Sequence, residues 1–149
     1  MRAGLAILLF LALTTPALAA PTRGDEAAIL AAPARTHLDT RVAQLPPAVR
    51  AAYPNNLAEP GAPFQVTDVV GPGRPLPGAR MVWGARVGRL YLLHLERGGI
   101  AHYYLVEAYD LTGGPGGPTR RIWRAHAPKL ASFADFQAAY RARRLTEMN

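Results

Sequence analysis

Residues 90–110 read LYLLHLERGGIAHYYLVEAYD, two runs rich in Leu, Val and Tyr on either side of a glycine pair. Runs of this length, dense in aromatic and branched residues and broken by glycine, have the pattern of an antiparallel hairpin. Neither run alternates with polar residues. Tyr91, Leu93, Leu95, Tyr104 and Val106 oppose Leu90, Leu92, Tyr103 and Leu105, so both faces are apolar. A half-exposed antiparallel sheet shows one polar face, and this one therefore needs cover on two sides. A C-terminal helix supplies one. The N-terminal helices, a second copy of the chain or a bound partner are the candidates for the other.

Working outward, further strand-like runs fall at 64–70, 79–87 and 120–125, beside 90–97 and 100–110. Gly88-Arg89 and Gly98-Gly99 suit two-residue turns, while 71–78 and 112–118 are Gly/Pro-rich and read as exposed loops. The N-terminal part, 20–63, is helical and broken by proline. Asp25 and Glu26 open a short helix, where their charge opposes the positive end of its dipole, and Pro33 closes it. A second helix is expected over 36–45, with Leu38, Val42 and Leu45 in one stripe. Pro47 begins a third turn through Val49 and Tyr53, and 54–63 reads as irregular. Near the end, Ser132 caps a helix with Asp135 three residues on; Phe133, Phe136 and Tyr140 form its aromatic face. The expected fold is α+β: an antiparallel meander of four or five strands with N-terminal helices and a C-terminal helix packed on the sheet. Residues 20–149 form one domain, with the sheet and last helix in 64–149.

Register then decides which polar residues meet. A Gly98-Gly99 turn sets His94 opposite Tyr103, whereas a three-residue Arg97-Gly98-Gly99 loop sets it opposite His102. Either way, the Gly88-Arg89 turn brings Trp83 across from His94. Trp83, His94 and Tyr103 are the expected ligand or partner contacts, since aromatic faces and imidazoles stack and hydrogen-bond together. The structural alternative is ordinary cross-strand packing.

The chain has 17 Lys and Arg against 10 Asp and Glu, a formal charge of +7. Seven of the basic residues fall in 119–149, opposed only by Asp135 and Glu147. Arg120, Arg121, Arg124 and Arg141 are the expected anion-binding residues if they share one face. Lys129 is the only lysine, and arginine is frequent throughout, so the charge also reflects general composition. Nucleic acid is not the favoured partner.

Much familiar chemistry is absent. There is no cysteine, hence no disulfide, thiolate nucleophile or thiolate ligand. Ser132 is the only serine and lacks the flanking glycines of a nucleophile elbow. Two histidines on one hairpin fall short of the three or so protein ligands a metal site takes, and His37 and His126 lie far off in the chain, so neither metal nor cofactor is expected. The glycine run 113–118 does not lead into a helix that would receive a phosphate. Glu96, Glu107, Asp110 and Asp68 could supply a carboxylate pair for hydrolysis, but Glu107 and Asp110 are three apart on one strand and point to opposite faces.

Residues 1–20, MRAGLAILLFLALTTPALAA, place Arg2 before an apolar run and end on Ala17-Leu18-Ala19, the order of a cleaved signal peptide. Cleavage is expected after Ala19 or one residue later. It removes Arg2 and leaves 16 basic against 10 acidic residues. No later stretch is long and apolar enough to span a bilayer, and a processed chain of this size can bury an ordinary core without disulfides. The expectation is an exported protein, periplasmic or secreted, acting as a non-enzymatic accessory or binding domain for an envelope protein or small ligand; a homodimer is compatible with it. The two rivals are a basic-faced protein associating with anionic envelope polymers or lipids, and a carboxylate-dependent hydrolase.

Overall fold

In the computed structural model, which describes residues 21–68, 73, 75–114 and 119–148, the chain begins with helix α1 (Arg23–Ala31). A 3-10 turn at Val42–Gln44, helix α2 (Pro47–Ala51) and strand β1 (Leu57–Ala58) follow. Then come β2 (Ala79–Val87), β3 (Leu90–Arg97), β4 (Tyr103–Asp110), β5 (Arg120–Ala127), α3 (Phe133–Arg141) and β6 (Thr146–Glu147). The expected leader at 1–19 lies outside the described residues, as do 71, 72 and 74 of one Gly/Pro-rich stretch and 115–118 of the other.

The fold is α+β, and β2 to β5 form an antiparallel meander in chain order. The sheet as a whole is six-stranded and mixed, which corrects the expected purely antiparallel meander of four or five strands. Both additions are two-residue edges: β1 pairs parallel to β2, and β6 antiparallel to β5. Among the described residues of the expected 64–70 strand, 64–68, no strand forms. These residues make one isolated bridge, Thr67 to Gly99, and the parallel edge comes from Leu57 and Ala58 in the stretch expected to be irregular.

The β2–β3 turn is the expected Gly88-Arg89, with Val87 opposite Leu90 and Gly88 at φ 57°. The β3–β4 connection is longer than either expected turn. Leu90 pairs with Asp110 and Arg97 with Tyr103, so 98–102 form a five-residue loop and His94 faces Val106, not Tyr103 or His102. The glycines explain why. A Cβ on Gly98 would stand 1.9 Å from the Gln65 carbonyl oxygen, and the Gly99 N–H donates to the Val66 carbonyl at 3.1 Å. They serve a close approach of two backbones, and the hairpin closes later.

Both sheet faces are covered from within the chain. Against one, Ile29 of α1 and Phe133, Phe136 and Ala139 of α3 pack on Trp83, Leu92, Val106 and Trp123. The Thr22–Asp25 capping box fixes the start of α1, and Ser132 caps α3 by accepting from the Asp135 N–H at 3.1 Å. Gln137 ties the two helices by donating to the Ile29 and Ala32 carbonyls at 2.8 and 2.9 Å. Against the other face, Leu45, Val49 and Tyr53 pack on Met81, Tyr91, Leu93, Leu95, Leu105 and Tyr109. Pro47 starts α2 as expected. The helix expected over 36–45 shrinks to the 3-10 turn, because Asp39 pairs its backbone with Gly84 and Thr40 donates its N–H to the Gln44 side chain. Such local side-chain bonds compete with a helical ladder. Leu38 consequently packs with the first cluster and Val42 and Leu45 with the second.

Candidate functional site

Gly84 lies buried in the middle of β2. A Cβ there would fall 2.1 Å from the Tyr91 hydroxyl, so only glycine lets the Tyr91 ring lie across the strand. That hydroxyl donates to Asp39 Oδ2 at 2.7 Å. Asp39 is pinned by its own backbone, whose N–H donates to the Gly84 carbonyl at 2.8 Å and whose carbonyl accepts from the Gly84 N–H at 2.9 Å. Burial, then the hydrogen bond and charge of Asp39, push the Tyr91 phenol upward from its ordinary pKa. It is therefore a neutral donor at any physiological pH.

This clamp holds the chain around 36–48 against the second sheet face and leaves a cavity of about 520 Å³ beside it. Buried Tyr91 and Leu45 and partly buried Asp39 line the interior with Pro46, Ala48 and Leu111. Exposed His37, Gln44 and Arg86 line the mouth. The combination of an apolar wall with a few convergent polar groups, at this size, is that of a small-molecule site.

Further along the same face Glu107 is fully buried. It accepts from Tyr53 Oη, from Tyr109 Oη at 2.6 Å, from Arg121 Nη1 at 3.0 Å and from Arg124 Nε at 2.7 Å. Burial raises its pKa, but the Tyr109 and Tyr53 hydroxyls and the Arg124 charge outweigh that and hold it below the ordinary carboxylate range. A carboxylate with four donors on it has little capacity left to take a proton or attack a substrate. Asp110 lies toward the other face, where it accepts from Arg89 Nη1 and from the Thr112 N–H at 2.9 Å. Glu96 accepts from Arg80 Nη2 at 2.5 Å, and its other oxygen meets His102 Nε2 at 2.6 Å and the Tyr104 hydroxyl at 3.1 Å. Asp68 stands apart in an exposed bend.

Trp83 and His94 do meet across β2 and β3, with ring centroids 5.2 Å apart. Both are buried, and both hold Leu130: Trp83 Nε1 donates to its carbonyl at 2.9 Å and its N–H donates to His94 Nε2 at 3.1 Å. His94 Nδ1 donates to the Leu105 carbonyl at 2.9 Å, so the neutral ring is fully used. Burial lowers its pKa to about 4, against small upward contributions from the Leu105 bond and Glu96. Tyr103 does not join this row. It pairs with Arg97 at the loop end of the hairpin and packs edge-on to His126 at 5.1 Å on the opposite face.

The four arginines are not gathered either. Arg121 and Arg124 are engaged by Glu107, exposed Arg120 stands opposite Asp110 in the β4–β5 register, and Arg141 on α3 donates to the Leu30 carbonyl at 3.2 Å on the other face. Among the described residues no three His, Asp or Glu side chains converge as metal ligands, and no helix is long and apolar enough to cross a membrane. Sequence reasoning passed over Asp39, Tyr91, Arg86 and Gly84. The one available signal was a lone glycine inside a strand, a mark of close approach by another group. Comparison with family models, curated proteins and solved structures finds no match to this chain.

Proposed function

We propose that this chain is an exported accessory protein, periplasmic or secreted, that acts by binding a small molecule and not by catalysis. Its ligand enters the cavity between the 36–48 stretch and the outer face of β2 and β3. The observation that carries this reading is the clamp of Gly84, Tyr91 and Asp39, which fixes a cavity of about 520 Å³ between them and Leu45. A stretch serving only as a cover gains by packing flush, because a gap forfeits dispersion contacts. Here the cover stands off the sheet at a place where a buried tyrosine and a carboxylate are already oriented. The volume is in the usual range for small-ligand sites. The saturation of Glu107 and the arginine partners of Glu96 and Asp110 lend no support to carboxylate-dependent hydrolysis.

The test is native mass spectrometry of the protein purified from its own host. The wild type is expected to carry a small molecule that is released on denaturation. Ala48→Trp, which fills the cavity from α2, is expected to fold with the same circular dichroism and carry none. A wild type without bound mass, or an equal load on the variant, would contradict the reading.

A further inference from the structure

Resting on the reading of the cavity as a ligand site, we infer that it selects a small amphiphilic anion: an apolar body along Leu45, Pro46 and Leu111 carrying one carboxylate that pairs with Arg86. Three chargeable groups face the cavity, and they are not equivalent. Asp39 keeps its negative charge, but its Oδ2 is taken up by the Tyr91 hydroxyl at 2.7 Å and its Oδ1 lies 3.7 Å from His37 Nε2. Arg86 is not so engaged. Its Nε donates to the Gly88 carbonyl at 3.3 Å, and among the described residues no carboxylate meets its guanidinium. Of the other arginines on the sheet, Arg80 is engaged by Glu96, Arg89 by Asp25 and Asp110, and Arg121 and Arg124 by Glu107, while Arg97 and Arg120 do not line the cavity.

An uncommitted guanidinium at the mouth of a cavity offers paired N–H donors to a carboxylate. The excess of 16 basic over 10 acidic residues that remains once Arg2 is removed draws anions toward it. Inside, Leu45, Pro46 and Leu111 form an apolar wall on which alkyl surface is favourably buried. Tyr91 is too deeply buried to serve as a stacking platform for a sugar ring. An apolar tail with a single anionic head satisfies both halves of this lining.

Isothermal titration with decanoate and decyltrimethylammonium below their micelle concentrations, and with decanol below its solubility limit, tests the inference. Decanoate is expected to bind about tenfold or more tighter than decyltrimethylammonium, as a charge-assisted pair supplies. Arg86→Gln should remove most of decanoate's advantage over decanol, Arg86→Lys should recover part of it, and Ala48→Trp should abolish binding of all three. Equal or tighter binding of the cation, or decanoate affinity indifferent to Arg86→Gln, would overturn the inference. If none of the three binds while a co-purified mass is still lost in Ala48→Trp, the ligand class is wrong and the cavity reading stands. If both signals are missing, both fall.

Discussion

His94 performs its structural work only when neutral. Its Nε2 must stay bare to accept the Leu130 N–H, while Nδ1 donates to Leu105. An unfolded histidine takes up a proton near its ordinary value of 6.5, whereas the buried ring resists until about 4. Between those values the unfolded state binds more protons, so stability is present above the upper one and is lost as pH falls toward the lower. Wild type should lose about 2 kcal/mol from this site between about pH 7 and pH 5. In His94→Leu that share of the pH dependence should vanish, although the variant is weaker at neutral pH because Leu130 has lost its acceptor. Urea unfolding midpoints at the two pH values check this, and equal pH slopes in both proteins would refute it. Glu107 makes the complementary case. Glu107→Gln leaves Arg121 and Arg124 without their counter-charge. It should cost roughly 2–3 kcal/mol in urea unfolding, less than a fully buried broken pair because both guanidiniums reach water. A change within about 0.5 kcal/mol would mean the cluster is not what holds Tyr53, and α2 before it, to the sheet.

At the level of elements, the 98–102 loop is where local reading and fold part company. Glycine pairs between apolar runs ordinarily close a hairpin, and Gly88-Arg89 does so. Gly98-Gly99 instead admits the 65–67 backbone, a partner more than thirty residues away that no local pattern announces. Gly98→Ala should therefore destabilise the protein by about 1–3 kcal/mol through that clash and remove hydrogen-exchange protection from the Gly99 amide. Unchanged stability together with a protected Gly99 amide would show that the approach is not required. Elements fixed by local chemistry were legible: the Thr22–Asp25 start of α1 has its acidic first turn, Pro47 opens α2, and Ser132 with Asp135 opens α3. The 36–45 helix was not, because a three-residue apolar stripe says nothing of the Asp39–Gly84 bridge that overrides it.

Across the whole molecule, the demand for cover on both faces of the central hairpin was readable from Leu90 to Asp110, and the chain meets it with α1 and α3 on one side and the 42–53 stretch on the other. The cavity was not readable, since it depends on Tyr91 crossing Gly84 to reach a residue 52 positions away in sequence. Export belongs to this scale too. Edman sequencing of the protein recovered from its host should begin at Ala20 or Pro21, and an intact Met1 species confined to the cytosol would contradict it. The cavity itself is tested most directly by amide hydrogen exchange on the protein isolated with its ligand and again after the ligand is removed by unfolding and refolding. Slowing confined to 36–48, 84–91 and the Leu111 amide in the loaded form is expected. Slowing centred on β5 and α3, or none anywhere, would contradict the assignment of this cavity as the binding site.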